Sequence, residues 1–327
     1  MSPTVFCRRH VPCAAPKRKC LFCSNRNHVA ALSRRFRPEE NGERTKMKKV
    51  IPAIAFLLMF CFFLLPGVVL AEEKPLWELG VGAALLQMPD YRGSDENRLY
   101  LLPYPYAVYR GDILKIDENR ITGRIFKTNQ VVLDFSFYGS VPVNSKNNSA
   151  REGMEDLDPT FEIGPALKVK LWSSETGQSK LDATLAVRAF FSTDFSSVRH
   201  EGWVFSPRVN FTRSDLIPRT GLKMGVSAGP MFADSGYHQY FYEVEPAYAT
   251  VSRPAYTAGG GYSGTTLTVG LSKALRQFIF NAFVSADFLQ GAVFEDSPLV
   301  KRETSIMSGF SISWIFLQSE RQVSREE

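Results

Sequence analysis

From about residue 76 onward, apolar and polar residues alternate with a period of two in repeated stretches of roughly ten positions. Within 131–141, Val131, Leu133, Phe135, Phe137 and Val141 share one face, while Asp134, Ser136, Tyr138 and Ser140 share the other. Leu181, Ala183, Leu185, Val187 and Phe191 oppose Asp182, Thr184 and Arg188 in the same way. The pattern recurs for Phe205 to Phe211 against Ser206, Arg208, Asn210 and Thr212, and for Phe278, Phe280, Val284 and Phe288 against Asn281, Ser285 and Asp287. A last stretch sets Ile306, Phe310, Ile312, Trp314 and Phe316 opposite Gly309, Ser311 and Ser313. Side chains of a strand point alternately to its two faces, so each stretch reads as a strand with one apolar and one polar side.

Both a soluble sandwich and a membrane barrel show this alternation. Three features favour the barrel. The strands run to 11–14 residues, against about 5–6 in soluble sheets. Full charges (Asp182, Arg188, Asp287) occupy the middle of the polar face. Aromatic residues gather near strand ends, as at Trp77, Trp172, Trp203 and Trp314, where an interfacial girdle sits. In hydrocarbon every backbone donor and acceptor must be paired internally, which a closed barrel achieves. The pattern predicts strands at 76–86, 99–110, 112–117, 120–128, 131–141, 158–172, 179–192, 201–213, 220–232, 262–274, 277–290 and 303–316. This is an all-β, transmembrane antiparallel barrel of about 12 strands, or 10 if the pair at 112–128 fuses or drops out. Short connections such as 173–178 suit periplasmic turns, and the longer 142–157 and 233–261 suit extracellular loops or inserted segments. On this register Val187 faces lipid and Arg188 the interior, so Val187→Arg is expected to cost more stability than Arg188→Ala.

The beginning of the chain differs in kind. Met47-Lys48-Lys49 opens a short positive region, an apolar run extends from Ile51 to Leu65, Pro66-Gly67 breaks it, and Val69-Leu70-Ala71 offers a cleavage site. This reads as a signal peptide at 47–71, with Glu72 as the first mature residue and export through the Sec pathway to the outer membrane. A transmembrane helix of the same length is disfavoured by Pro66 and by Glu72-Glu73 in place of a basic flank. A lipoprotein is disfavoured because Cys61 lies inside the apolar run after the bulky Phe60. Residues 1–46 read as a misassigned upstream extension, 72–316 as the barrel, and 317–327 as a charged tail.

That division changes what the composition means. The chain carries a net charge of +6, yet 13 of its 39 Lys and Arg residues and only 3 of its 33 Asp and Glu residues precede Glu72. The remainder, with 26 basic against 30 acidic residues, is mildly acidic, so no nucleic-acid partner is expected. Cys7, Cys13, Cys20, Cys23 and Cys61 all precede Glu72 as well, which excludes disulfides and thiolate metal sites from the barrel. Cys20 and Cys23 with His28, Cys7, His10 and Cys13 have a nominal zinc spacing, but they lie in a segment with no apolar periodicity to build a core. No cofactor is expected. Asp234, Ser235 and His238 make a nominal triad, yet triads are recognised by geometry and not by proximity along a chain, and the three residues read instead as a hydrogen-bonded loop plug. No G-x-S-x-G, H-E-x-x-H or P-loop is present. Tyr237, Tyr240, Phe241, Tyr242 and Tyr256 form an aromatic cluster, either a partner-binding patch or an inward-folded packing of the barrel mouth.

One block is recognisable. Gly229-Pro230, Ala233-Asp234-Ser235, Tyr237, Tyr240-Phe241, Val244, Pro246-Ala247, Ser252, Pro254-Ala255-Tyr256 and Ala258-Gly259-Gly260 resemble the MipA/OmpV family, named for the MltA-interacting protein of Gram-negative outer membranes. Tyr91-Arg92-Gly93-Ser94, Glu162-Ile163-Gly164 and Asp296-Ser297-Pro298-Leu299-Val300 add to the likeness, which covers 76–316. The chain departs from the family pattern at Tyr240-Phe241-Tyr242-Glu243-Val244, one residue longer and without a glycine, and in the tail after Phe316. The resemblance implies a non-enzymatic outer-membrane scaffold whose partners, besides lipid, are a lytic murein transglycosylase and a bifunctional murein synthase. The alternative is a narrow channel for small polar solutes. The aromatic residues named above are the candidate partner-binding residues.

Overall fold

A computed structural model describes residues 74–110, 114–117, 120–123, 126–128 and 130–323. The expected extension at 1–46 and signal peptide at 47–71 lie outside the described residues. The strands are β1 (Lys74–Pro75), β2 (Trp77–Pro89), β3 (Asn97–Arg110), β4 (Leu114–Asp117), β5 (Arg120–Gly123), β6 (Phe126–Lys127), β7 (Val131–Ser140), β8 (Thr160–Ser173), β9 (Ser179–Thr193), β10 (Val198–Arg213), β11 (Lys223–Ala233), β12 (Gly261–Leu275), β13 (Phe278–Phe288), β14 (Thr304–Gln318) and β15 (Gln322–Val323). Among the described residues a single α-helix, α1 (Ser235–Tyr242), stands between them. None of the described helices is long and apolar enough to cross a membrane, and strands do the crossing.

From β2 to β5 and from β6 to β14, neighbours in sequence are neighbours in the sheet, all pairing antiparallel, and the last long strand β14 returns to pair with the first, β2. Ten long strands build the wall, the lower of the two expected counts. The expected strands at 112–117 and 120–128 are present as the short pieces β4, β5 and β6. β5 and β6, at opposite ends of the sheet order, are pieces of one run of chain, and β5 lies beside β7. At the other end of the chain, β14 continues past Phe316 to Gln318, and Gln322–Val323 pair with Lys74–Pro75. Four residues of the expected tail at 317–327, Leu317, Gln318, Gln322 and Val323, therefore lie in strands.

The dyad pattern holds in three dimensions. Leu185, Val187, Trp203, Phe205, Val209, Val284, Ile306, Trp314 and Phe316 are exposed on the outer wall, where lipid takes the place of water. Arg188, Ser206, Ser285 and Ser313 are buried within. Val187 is 42% exposed, and Val187→Arg is expected to lower stability by about 2–4 kcal/mol if that surface lies near the bilayer midplane. Urea midpoints of the barrel refolded into lipid vesicles measure this. An unchanged midpoint would place Val187 outside the membrane.

Prolines mark where the ladders stop. Pro207 and Pro230 face each other at the stretch of the β10–β11 register, between Phe205↔Phe232 and Val209↔Ala228, where no pairs form. Neither residue has an N–H to give. On β3, the Arg110 N–H donates to the Leu76 carbonyl on the β2 side. Donor directions alternate along a strand, so Pro103 and Pro105, of opposite parity, face the β4 side. There β3 pairs only at Tyr109↔Ile116 and Arg110↔Lys115 among the described residues. Proline blunts this edge against pairing with a foreign strand.

Strand polarity sorts the connections into two rims. The short turns at 174–178 and 276–277 and the β1–β15 ribbon share one rim. The long connections 90–96, 141–159, 234–260 and 289–303 share the other. Barrels of this kind keep short turns in the periplasm and long loops outside.

Candidate functional site

The four long connections pack on one another to form a plug with its own apolar core, made by Tyr91, Val143, Leu157, Tyr242, Val244, Ala258, Leu289, Phe294 and Leu299 among others. Its centre is Tyr242, which lies face to face with Phe294, ring centroids 3.7 Å apart and 6° from parallel. The edge of Tyr91 meets the same ring. Their hydroxyls tie loop to loop: Tyr242 Oη donates to the Arg92 carbonyl (2.9 Å) and Tyr91 Oη to the Leu299 carbonyl (2.8 Å). Ser297 Oγ donates to the Tyr242 carbonyl at 2.7 Å. Gly93 is pinned between these loops, its carbonyl accepting from the Lys301 and Arg302 N–H groups and its own N–H donating to Ser305 Oγ. Its φ of 93° suits glycine, and a Cβ there would press on Leu289 and Val300.

Two arginines staple the plug through backbone carbonyls. Arg151 donates to the carbonyls of Phe241 and Glu155 and to Ser145 Oγ. Arg253 donates to those of Ala150, Glu152 and Tyr248. Asn148 links Asp90 and Ser94, and Asp90 also holds Arg98 in an ion pair.

Helix α1 starts at Asp234, whose carboxylate accepts the Tyr237 N–H as an N-cap. Its inward face meets the barrel wall. Tyr237, Tyr240 and Phe241 surround Phe190, with centroids 4.7, 5.4 and 5.6 Å away, beside Val204 and Met231. Of the five aromatic residues read as a partner-binding patch, Tyr237 and Tyr242 are buried and Tyr240, Phe241 and Tyr256 partly buried against the plug core. Tyr240 Oη donates to the Asp158 carbonyl and Tyr256 Oη to the Val293 carbonyl. The inward-folded alternative is the arrangement observed. Burial pushes the phenols of Tyr237, Tyr240 and Tyr242 above their ordinary value, so all three stay protonated at physiological pH and Tyr240 and Tyr242 remain donors.

Asp234, Ser235 and His238 do not assemble a triad. Asp234 caps the helix, and His238 turns to Ser263 and the Gly259 carbonyl, 2.6 Å from Nε2 and Nδ1 respectively. Ser263 is fully buried, with no approach for a substrate. Burial is the largest influence on His238 and holds its imidazole below the ordinary histidine range, aided by Arg92 and opposed by the Gly259 carbonyl and Asp234. In the unfolded chain the ring takes a proton near pH 6.5, while in the plug burial defers protonation to lower pH. The plug's stability is thus fully present above about pH 6.5 and falls as the pH drops through that value towards the folded one. Amide exchange across 235–260, corrected for intrinsic rates, is expected to speed up between pH 7.5 and 5.5. His238→Gln should flatten that response, and an equal response in the variant would assign it to other groups.

Beneath the plug the lumen is polar. Glu162 and Arg188 form a buried ion pair at 2.6 Å, and Arg188 also donates to Ser206 Oγ. Lys168 pairs with Asp134, and Arg92 with Asp287, which accepts from Thr266 Oγ1. Tyr138 stands on the inner face of β7 and is 53% exposed. No group of three or more potential metal ligands occurs among the described residues.

A model of the MipA family, described as MltA-interacting protein MipA, matches residues 81–316. The chain belongs to the MipA family. Comparison with curated proteins finds no match. Among solved structures, this MipA-family barrel is similar to the COG4313 outer membrane channel from Pseudomonas putida F1, at 10% identity and a TM-score of 0.36, over 77% of this chain and all of that one. It is also similar to the outer membrane channel DcaP of Acinetobacter baumannii (9% identity, TM-score 0.28, 77% of this chain, all of that one) and to the toluene transporter TodX of Pseudomonas putida (11%, 0.25, 76% and 69%).

Sequence reasoning offered a loop plug at 234–238 and an inward packing of the aromatic cluster, but missed the residues of the other loops that complete its core. Tyr91, Phe294 and Leu299, 208 residues apart at the extremes, carry no local signal that they share a core with Tyr242. The family-like segments at 91–94, 229–260 and 296–300 were the available clue, because they are the segments that meet.

Proposed function

We propose that this MipA-family barrel is a non-enzymatic docking protein of the outer membrane, holding a lytic murein transglycosylase and a bifunctional murein synthase. The observation that carries this reading is the plug: one rim is occupied by a core of stacked rings and buried hydrogen bonds, an investment in rigidity and not in passage. The family description as MltA-interacting supports the murein partner. The long-loop rim faces outward and murein enzymes work in the periplasm, so docking belongs at the opposite rim, with the short turns and the β1–β15 ribbon. Tyr237, Tyr240, Phe241, Tyr242 and Tyr256 then serve by keeping the plug rigid.

A photocrosslinking amino acid placed at Glu175 in a short turn, and separately at Val251 on the plug surface, tests the reading in intact cells. Both positions are exposed. Adducts with a murein enzyme are expected from Glu175 and not from Val251. Adducts from Val251 alone, or from neither position together with no capture by the purified barrel, would overturn it. The half-exposed inner face at Tyr138 favours a second reading, a narrow channel for small polar solutes, for which single-channel steps in a planar bilayer are the measurement.

A further inference from the structure

We propose that the lumen beneath the plug contains a binding site for a small monocarboxylate, centred on Arg208. This inference is independent of the docking role.

The site is drawn from widely separated parts of the wall. Arg208 projects inward from β10, Arg188 from β9, Tyr138 from β7 and Asp287 from β13, while Arg92 descends from the connection after β2. Arg188 reaches Ser206 Oγ, the next inward position along β10 from Arg208, and Tyr138 pairs in register with Glu162, the partner of Arg188. On the other side Arg208 stands beside Gly229, which pairs with Thr266, the hydrogen-bond partner of Asp287. The other two cations already have counter-charges: Arg188 has Glu162 at 2.6 Å, and Arg92 has Asp287 at 3.3 Å. Arg208 has no hydrogen bond or ion pair among the described residues. Its side chain is only partly buried and, by strand parity, lies on the inner face of the wall, as Tyr138 does. It lies beside Pro207, at the break in the β10–β11 ladder.

Arg92 adds a second unmet demand. Its Nη1 reaches only Met231 Sδ, and its Nε and Nη2 are buried without a hydrogen-bond partner. The Nε–Asp287 approach is near enough for attraction but not aligned for a hydrogen bond. Buried donors left in this state are costly unless something accepts from them.

Guanidinium forks match the paired oxygens of a carboxylate or phosphate. Charge decides between these. Three guanidiniums face two carboxylates, leaving one positive charge, which a monoanion cancels. A phosphate dianion would be repelled by Asp287 and Glu162 once that charge was spent. The Tyr138 hydroxyl can donate to the same anion. A cationic constriction of this kind is also what selects anions in pores.

The test is calorimetric titration of the full chain in detergent with sodium propionate, the ionic strength held with sodium chloride. Saturable binding of about one propionate per barrel is expected, weakened at least tenfold by Arg208→Met and unchanged by Arg199→Met, which alters an exposed ion pair at the start of β10. Phosphate should bind more weakly than propionate. Arg208→Met should keep the heat-modifiable mobility of a folded barrel, with an unfolding temperature equal to or above that of the parent, because an uncompensated charge has been removed. No saturable binding by the parent chain, equal binding by Arg208→Met, or a preference for phosphate would each overturn the assignment. A lower unfolding temperature for Arg208→Met would make the side chain structural and overturn it as well.

Discussion

Tyr242→Ala is expected to open the plug while leaving the barrel wall folded. The side chain is 1% exposed. It stacks on Phe294, is met edge-on by Tyr91 and donates to the Arg92 carbonyl. Truncating a buried aromatic residue costs about 3–5 kcal/mol, and the orphaned carbonyl adds to that. Tyr242 takes part in no rung of the wall, since the strands pair through their own backbones and α1 is an insertion between β11 and β12. The loss should therefore fall on the plug as a local unfolding unit. Chymotrypsin cleavage after Tyr248 reports plug opening, and heat-modifiable migration reports the wall. The expected result is a large rise in cleavage with unchanged migration. Cleavage at the parent rate would mean that the stacked rings do not hold the plug.

Arg188→Ala is expected to destabilise the wall itself, by about 3–5 kcal/mol, because it leaves the Glu162 carboxylate buried without its cation. This reverses the sequence expectation that an inward substitution is milder than Val187→Arg at the neighbouring position. The alternation correctly assigns Arg188 to the interior, but whether an interior arginine is dispensable depends on its partner. Glu162 lies 26 residues away on β8, with Oε2 at 2.6 Å. Much of the cost is the stranded charge and not the lost bond, so Arg188→Ala/Glu162→Gln should recover a large part of it. Urea midpoints of the four proteins in the cycle decide this. Additive losses in the double variant would show that the two side chains act separately.

Most of the wall was legible in the sequence. Ten of the expected strands are found within a few residues of their expected bounds, with the apolar faces outward. The reason is local: a residue's side of the wall depends on parity, and parity is written every second position wherever one face meets lipid and the other a polar lumen. Where a strand is short or its ladder breaks, this information thins. The segment 112–128 reads as two ordinary strands yet forms only the short pieces β4 to β6. Pro207 and Pro230 look like interruptions in separate strands, and only the register shows that they face each other.

What parity cannot settle is which side chains of distant segments meet. The five aromatic residues from Tyr237 to Tyr256 carry the same composition whether they face a partner or fold inward. The choice is made by Phe190 and Phe294, on β9 and in the connection after β13, and by the apolar surface they offer once the wall has closed. The same holds for His238, which passes over Asp234 and Ser235, its neighbours in sequence, for Ser263 on the next strand. It holds too for Arg208, indistinguishable from Arg188 by alternation, of which one is neutralised across the wall and the other is not. Periodicity alone thus determined the wall and its two faces. The plug and the charges of the lumen were decided by tertiary structure, because they depend on contacts that come into being only when strands far apart in sequence are brought round a common interior.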